Sequence, residues 1–169
     1  MAALLDEPPR RALDLGSGGG LPGLPLALRF PTSEWLLLDG SVTRAEFLRE
    51  AVGRLSLSER VAVRAQRAEE AGRTDLRGRF DLVTARSFGP PAVTAECAAP
   101  FLIAGGLLLV AEPPGSGGER WPADGLARLG LVLVRTVAEP SAVALLRQET
   151  ACPPGYPRRT GVPAKRPLF

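Results

Sequence analysis

The chain has 169 residues, of which 45% are hydrophobic and 23% are charged, and its formal net charge is +3. These values are typical of one globular domain with a sizeable core, and they exclude a disordered chain. The sequence contains no histidine. Its absence excludes Ser-His-Asp and Cys-His catalysis and any histidine-ligated metal site.

The two cysteines, Cys97 and Cys152, are too few for a disulfide framework or a structural zinc site, so no metal is expected. The chain begins without the basic region and apolar region of a signal peptide. No apolar run approaches the ~20 residues that a membrane-spanning helix needs. We therefore expect a cytoplasmic protein with two ordinary thiols and no membrane partner.

Short apolar segments alternate with amphipathic ones along the chain, which predicts a doubly wound α/β sheet. Strands are predicted at 12–15, 35–39, 61–63, 80–85, 107–111, 131–137 and 142–147. Helices are predicted at 24–28, 43–55, 90–99 and 124–129. The strand at 107–111 is the most apolar, so it is predicted to be the most central. The last two strands, joined by the turn Glu139-Pro140-Ser141, are expected to form a hairpin and make one strand antiparallel.

The stretch 11–23, RALDLGSGGGLPG, is the most informative part of the sequence. A short strand runs into a glycine-rich turn, where residues without a Cβ allow close approach of a ligand to the backbone. A helix then begins, and its N-terminus offers unpaired N–H groups and the positive end of a dipole. This combination predicts a pocket for a nucleotide-like ligand.

The glycine turn fits two cofactor patterns and also the pattern of a purely structural turn. Gly18-x-Gly20-x-x-Gly23 matches the dinucleotide motif. Gly16-x-Gly18-x-Gly20, preceded by Asp14, is similar to the first motif of methyltransferases that use S-adenosylmethionine. The loop by itself does not choose between them.

Asp39 ends the second predicted strand, roughly 20 positions beyond the first glycine, where a carboxylate can accept hydrogen bonds from ribose hydroxyls. Both cofactors carry an adenosine ribose, so this residue supports both. The alternative is a solvated turn residue before Gly40. Two further candidates follow later strands, namely the pair Ala68-Glu69 and Arg86. Their alternatives are a solvated charge run and an arginine that ties two loops together.

Residues 151–169 differ from the rest of the chain in charge and composition. They contain no acidic residue, so the net positive charge resides there, and five prolines and two glycines predict an extended conformation. We therefore divide the chain into a domain at 1–150 and a basic, proline-rich tail. The basic residues of this tail are Arg158, Arg159, Lys165 and Arg166.

Several longer motifs occur together and in a fixed order. They are DLGSGGGLPGLPL at 14–26, Leu38-Asp39 followed by Arg44 and Phe47-Leu48, Arg67-Ala68-Glu69, DLVTAR at 81–86, and YPRRTGVPAKRPL at 156–168. This set resembles the glucose-inhibited division protein B family, methyltransferases that modify guanine N7 in small-subunit (16S) ribosomal RNA. The resemblance covers nearly the whole chain.

The resemblance implies a Rossmann-like class I methyltransferase fold with a mostly parallel seven-stranded sheet and a terminal antiparallel hairpin. It also implies S-adenosylmethionine as the cofactor and ribosomal RNA or the small ribosomal subunit as the partner. The family's cofactor contacts, with the carboxylate expected on the ribose and the acid and glycine of the first motif, fall on Asp14, Gly16, Gly18, Leu21, Asp39, Ala68, Glu69 and Arg86.

The four basic residues of the tail are expected to contact the RNA. The alternative is that the tail packs back along the sheet edge with its arginines merely solvated. The sequence departs from the family in two places. Only about ten residues precede the first strand where the family has a helical segment, and the family's Ser-Leu-x-Lys-Arg is Gly40-Ser41-Val42-Thr43-Arg44 here.

No catalytic residue is predicted, because guanine N7 has an exposed lone pair and needs no deprotonation. Methylation of pyrimidine C5 would require a cysteine nucleophile, and both cysteines are expected to be inert. Three alternatives stay open at this stage. They are a small-molecule methyltransferase on the same cofactor domain, a degenerate binding module without activity, and, with less support, an NAD oxidoreductase.

Overall fold

A computed structural model describes residues 1–139 and 141–169. Its strands are β1 (Arg11–Leu15), β2 (Glu34–Asp39), β3 (Val61–Ala65), β4 (Phe80–Ala85), β5 (Leu102–Ala111), β6 (Leu131–Val137) and β7 (Val143–Gln148). Its α-helices are α1 (Gly23–Arg29), α2 (Val42–Arg54), α3 (Ala68–Ala71), α4 (Pro91–Ala98), α5 (Ala123–Ala127) and α6 (Val162–Lys165). The alternation of strands and helices agrees with the sequence prediction.

The strands form one seven-stranded sheet in the order β3-β2-β1-β4-β5-β7-β6. Strands β1 to β5 pair in parallel, whereas β7 pairs antiparallel with both β5 and β6. The predicted doubly wound sheet with a terminal hairpin is therefore confirmed. Pro140 of the predicted hairpin turn lies outside the described residues.

The prediction of the most central strand was wrong. Strand β4, rather than β5, has three strands on each side. Strand β4 contains the polar Thr84, which is fully buried and donates a hydrogen bond to another buried side chain, Asp14. Because a satisfied polar side chain can occupy the centre of a sheet, hydrophobicity alone does not rank the strands.

The two faces of the sheet are covered by different helices. Successive residues of a strand point to opposite faces, so Leu13 belongs to the core cluster beneath α4 and Ala12 to the cluster beneath α1 and α2. The same alternation separates Val83 from Leu82 in β4. The fold thus has three layers, and no helix within the described residues is long and apolar enough to cross a membrane.

The tail is not extended throughout, contrary to the prediction. Gly161 adopts a left-handed conformation (φ +80°), and the short helix α6 follows it. Pro163 stands in the first turn of this helix, where a missing N–H costs nothing because that group has no partner in the helix. The proline content therefore permits one helical turn here.

Candidate active site

Parallel pairing brings the carboxyl ends of β1, β2 and β4 to the same edge of the sheet. Gly16, Asp39 and Arg86 stand at or directly after these three ends. In open α/β sheets, ligands bind in the crevice outside this edge. The structure therefore groups the three predicted positions, which are far apart in sequence.

The glycine loop is tied to β2 by backbone hydrogen bonds. The N–H groups of Gly16 and Ser17 both donate to the carbonyl of Leu38, at 2.8 and 3.0 Å. Gly16 has a φ of +68°, a region that L side chains rarely adopt. A Cβ at this position would also lie only 2.5 Å from Phe88 Cδ2. Glycine is required there by both backbone conformation and space.

The middle of the loop is open. A Cβ on Gly18 would meet only the Gly16 carbonyl oxygen at 3.8 Å, and a Cβ on Gly19 would meet no atom within 4 Å. Leu21, the next predicted contact, is 50% exposed. The loop therefore presents backbone and one apolar side chain to an unfilled space, which suits a small ligand.

Asp14 lies behind this loop and is only 1% exposed. Its Oδ1 accepts a hydrogen bond from Thr84 Oγ1 (2.7 Å), and its Oδ2 accepts one from the Gly23 N–H at the start of α1 (3.2 Å). Burial raises the pKa of this carboxyl group to about 6, against the lowering effect of its hydrogen bonds. Asp14 thus joins β1, β4 and α1 and fixes both ends of the loop.

Asp39 connects the loop to the start of α2. Its Oδ2 accepts a hydrogen bond from the Gly18 N–H (2.8 Å), and its Oδ1 accepts one from the Ser41 N–H (2.9 Å). Arg44 Nη1 lies 3.9 Å from Oδ2. Each carboxylate oxygen can accept more than one hydrogen bond, so these contacts leave acceptor capacity for the hydroxyl groups of a ribose.

Ala68 and Glu69 begin the short helix α3 beyond β3. Ala68 is buried, and the carboxylate of Glu69 accepts a hydrogen bond from the Gly161 N–H of the tail (3.0 Å). The adjacent Glu70 lies 3.4 Å from the Thr160 hydroxyl. The structure thus places the tail against the predicted cofactor residues of α3, a contact that the sequence did not suggest.

Arg86 follows β4 and is exposed. The described residues give its guanidinium no hydrogen-bond or ion-pair partner, in contrast to an arginine that ties two loops together. It borders a cavity of about 630 Å³ that also touches Pro22 at the start of α1 and Glu112 after β5. This arginine is therefore available to an anionic group on a ligand.

Arg158 has a different partner from the RNA phosphate that the sequence suggested. Its backbone N–H and its Nε both lie 2.8 Å from Glu96 Oε1, and its Nη2 lies 2.6 Å from Glu96 Oε2. Glu96 is fully buried in α4, and these hydrogen bonds raise the pKa of Arg158 above its ordinary value. We therefore correct its assignment. Arg158 and Glu96, together with Arg73 and Arg77, hold the tail against the domain, and we call these contacts the tail clasp.

Two arginines of the domain complete this clasp. Arg73 donates to the carbonyl of Pro157 (2.7 and 3.0 Å), and Arg77 donates to the carbonyls of Tyr156 and Cys152 (2.7 and 2.6 Å). The other basic residues of the tail are exposed, and the described part of the chain offers their side chains no partner. They are Arg159, Lys165 and Arg166.

Both cysteines are buried. Burial raises the pKa of Cys97 well above its ordinary value and that of Cys152 to about 11. A thiol with so high a pKa is a poor nucleophile near neutral pH, because the thiolate is the reactive form. Neither side chain is therefore suited to the cysteine chemistry of pyrimidine C5 methylation.

A family model described as rRNA small subunit methyltransferase G matches residues 1–112, which include β1 to β5.

The chain belongs to this family.

The match confirms the resemblance carried by the sequence motifs. The ribosomal RNA small subunit methyltransferase G of Syntrophomonas wolfei is 37% identical over 165 residues, which cover 94% of this chain and 77% of that protein. The protein of the same name from a Thermotoga species is 39% identical over 164 residues, covering 93% of this chain and 71% of that protein.

Solved structures show the same fold. A T. thermophilus 16S rRNA N2 methyltransferase in complex with AdoMet and guanosine is 30% identical, with a TM-score of 0.60 over 88% of this chain and 38% of that one. An O-methyltransferase family protein from Burkholderia thailandensis, at 16% identity, has a TM-score of 0.65 over 85% of this chain and 52% of its own. The second likeness shows the fold alone.

Sequence reasoning missed three residues near the site, namely Phe88, Glu96 and Glu112. Glu96 did carry a signal, since it is a lone charged residue within the otherwise uncharged helix α4, and charged residues in such positions are almost never buried without a partner. Phe88 packs against Gly16, but the two residues are far apart in the sequence, so no local pattern predicts this contact. Glu112 follows the strand β5, and its position at the carboxyl edge was its only indication.

Proposed function

We propose that this protein transfers a methyl group from S-adenosylmethionine to N7 of a guanine in the 16S rRNA of the small ribosomal subunit. Membership of the rRNA small subunit methyltransferase G family supports the cofactor and the RNA class. The observation that carries the proposal is the open glycine loop beside Asp39, at the carboxyl edge of the sheet. Ribosomal RNA as substrate also implies a cytoplasmic location.

The residues of the edge fit the proposed cofactor. Asp39 would accept hydrogen bonds from the ribose, and the loop at Gly16 and Gly18 would meet the methionine portion. Ala68 is small enough to admit the face of an adenine, and Arg86 would bind the carboxylate of the cofactor or a phosphate of the RNA. Leu21 and Glu69 would border the same ligand, whereas the buried Asp14 would position the loop from behind.

The proposed reaction depends on alignment of the reactants more than on acid or base chemistry by side chains. When bound, the cofactor would supply an activated methyl group on a sulfonium. The lone pair of guanine N7, which carries no proton, would form the bond to the methyl carbon as the carbon–sulfur bond breaks and S-adenosylhomocysteine leaves. The loop and Asp39 would hold the cofactor, and the edge around Arg86 would face the guanine. The two reactants must be aligned, and water must be excluded from the space between them. Such alignment can contribute ~7–11 kcal/mol in the best intramolecular models, which is consistent with a chain that lacks histidine.

The RNA would lie along the exposed basic residues of the tail. Arg159, Lys165 and Arg166 offer three cations that have no side-chain partner among the described residues. The tail contacts α3 through Glu69 and Gly161, so the proposed RNA contact and the proposed cofactor site are neighbours.

Titration calorimetry with S-adenosylhomocysteine and with NAD tests the cofactor. We expect binding of S-adenosylhomocysteine and a loss of about 10- to 150-fold for Asp39→Ala, because a hydrogen bond to a charged group is worth about 1.5–3 kcal/mol. Asp81→Ala is the matched control. Asp81 also accepts two backbone N–H groups, from Arg10 and Arg11 at 2.8 and 3.1 Å, but it stands at the opposite edge of the sheet.

An equal loss of affinity in the two variants would make Asp39 a merely structural residue, and binding of NAD alone would overturn the cofactor. The reaction itself is tested by incubating unmethylated small subunits with the protein and labelled S-adenosylmethionine, followed by mass spectrometry of the RNA. We expect one 7-methylguanosine per subunit. Cofactor binding without RNA methylation would contradict the proposed reaction.

A further inference from the structure

The cavity of about 630 Å³ lies beside the proposed cofactor loop and shares Arg86 with the proposed cofactor site. Its walls come from the start of α1, the ends of β4 and β5, the segments just after β5 and before β7, and the first two residues of the chain. Most of the lining is apolar, including Pro25, Leu26 and Val143, and two charged residues, Arg86 and Glu112, also face it. Pockets for small ligands typically have about 300–1,000 Å³ and a few polar groups in an apolar wall. This cavity has both properties.

Glu112 is the unusual member of this wall. It follows directly after β5, and its side chain is only 4% exposed. Its Oε2 pairs with the guanidinium of Arg120, whereas the described residues provide no hydrogen bond to Oε1. A second cavity of about 290 Å³, lined by Phe88 and Arg120 among others, reaches the same carboxylate.

A largely buried carboxylate is costly unless it is paired, and Oε1 of Glu112 is not among the fully buried atoms that lack a partner, so it stays accessible from the cavity. Transfer of an ionised group out of water is unfavourable unless it is paired and hydrogen-bonded. Arg120 supplies the charge partner for one oxygen of Glu112. The other oxygen is an acceptor that a ligand with N–H groups can satisfy.

We infer that this cavity binds the acceptor guanine, and that Glu112 recognises it through the N1–H and the exocyclic amine at C2. This inference rests on the proposed function and adds the residue that selects the base. Guanine presents two adjacent donors on this edge. The carboxylate of Glu112 can accept both, one at the unpaired Oε1 and one at Oε2, because an oxygen paired with Arg120 keeps a second lone pair. Adenine has an acceptor at N1 and no amine at C2, so it would leave Glu112 facing a lone pair.

The geometry of a purine suits the proposed reaction. N7 lies on the side of the ring system opposite to the N1 edge, so a guanine held by Glu112 has its N7 directed away from that carboxylate. The glycine loop and the start of α1 border the cavity at Pro22. A base held in this way is thus fixed at the edge that does not react, while N7 stays free for the methyl group.

Base discrimination tests this inference. Methylation rates are measured under single-turnover conditions on an rRNA fragment that carries guanosine or inosine at the methylated position, since inosine lacks only the amine at C2. For the unaltered protein we expect guanosine to be preferred in kcat/KM by about 10- to 150-fold, the value of one hydrogen bond to a charged group. Glu112→Gln should reduce this ratio to a few-fold and leave the affinity for S-adenosylhomocysteine unchanged.

Arg120→Gln is the matched control, because it breaks the same ion pair and leaves the carboxylate in place. We expect it to keep the preference for guanosine, even where it lowers stability as much as Glu112→Gln does. A preference that survives Glu112→Gln, or no preference in the unaltered protein, would overturn the role of Glu112.

A binding experiment separates this inference from the proposed reaction. The protein saturated with S-adenosylhomocysteine is titrated with guanosine, inosine and adenosine at millimolar concentrations and followed by NMR at Ala111 and Ala142, which line the cavity. Shifts at these residues that are strongest for guanosine and lost in Glu112→Gln support the inference even if no RNA is methylated. Absence of guanosine shifts, or equal shifts with adenosine, would overturn it even if RNA methylation is observed.

Discussion

The glycine loop and the tail are both irregular segments, and both are held in place by charged side chains, but the partners come from different distances in the sequence. In the loop, Asp14 binds the N–H of a residue 9 positions away and Asp39 binds one 21 positions away. In the tail, the partners of Glu96 and Arg77 lie 62 to 79 positions away. The carboxylate contacts to the loop backbone therefore span shorter sequence distances than those that hold the tail, although Asp14 itself is held by Thr84, 70 positions away.

The two segments also differ in the side chains that hold them, because the tail uses guanidinium groups in addition to carboxylates. Carboxylates accept from backbone N–H groups in the loop, which suits the exposed donors near a helix start. In the tail, guanidinium groups of Arg73 and Arg77 donate to backbone carbonyls, which suits a proline-rich segment with few N–H groups. The loop thereby keeps its open side for a ligand, whereas the tail is fastened as part of the domain.

The largest effect is expected from opening the tail clasp. Glu96→Ala removes a fully buried carboxylate and leaves Arg158, whose side chain is only 26% exposed, without its partner. Breaking a buried pair on one side costs about 3–5 kcal/mol, and we expect the lower end because Arg158 retains some water contact. Urea unfolding followed by circular dichroism measures the loss.

The matched control is Glu50→Ala, which breaks an ion pair of the same length (2.6 Å) with Arg54 on the surface of α2. An exposed pair at this helical spacing contributes about 0.3–0.5 kcal/mol. An equally small loss of unfolding free energy in both variants would show that the tail does not stabilise the domain. The tail and the loop would then differ only in the sequence distance to their partners.

A smaller effect is expected in the loop. Gly16→Ala places a Cβ near Phe88 and forces a left-handed alanine, which alone costs about 1–2 kcal/mol. Gly78→Ala isolates the conformational part, because Gly78 has a φ of +60° and open space around it. Gly19→Ala changes neither property and should stay within about 0.5 kcal/mol of the unaltered protein.

Unfolding of the three variants and their affinity for S-adenosylhomocysteine are measured together. Gly16→Ala should lose affinity and Gly78→Ala should keep it, because only the first of these two strained positions belongs to the proposed site. Gly19→Ala is a control for stability alone, since its Cβ would enter the open side of the loop. Equal affinities in Gly16→Ala and Gly78→Ala would show that the loop does not contact the ligand at this point.

The contrast between the segments also explains what the sequence could predict. Strands β4 and β6 have the bounds that periodicity predicts, since local apolar patterns and flanking turn residues determine them. The grouping of Gly16, Asp39 and Arg86 was predictable because parallel strands end at one edge. These inferences need only local pattern and one general property of α/β sheets.

The remaining features depend on contacts that no local pattern contains. The pairing of Glu96 with Arg158 joins two residues 62 positions apart, and a single sequence gives no reason to pair them. The short helix α3 was not predicted as a helix, and the alternative interpretation of Glu69 and Glu70 was a solvated charge run, which gives no sign of a contact with the tail. Burial by a distant segment decides both cases.

The smallest effect concerns the exposed face of the tail and its binding to RNA. With Arg158 occupied by Glu96, only three cations of the tail remain for phosphates, namely Arg159, Lys165 and Arg166. Each phosphate contact on a single strand contributes about −0.7 to the slope of log K against log salt, so these three account for about −2. Replacing all three with glutamine should remove that amount from the slope measured with an rRNA fragment.

The control changes three exposed arginines of α1 and α2 to glutamine, Arg29, Arg49 and Arg54, and so alters the net charge equally. Its slope should match that of the unaltered protein, since the proposed RNA contact is local to the tail. Equal losses of slope in the two triple variants would mean that RNA binding depends on the net charge of the protein and not on the tail. A fall in slope of about 0.7 on Arg158→Gln alone would mean that RNA displaces Glu96 and that the clasp opens on binding, because a guanidinium held by a buried carboxylate contacts no phosphate.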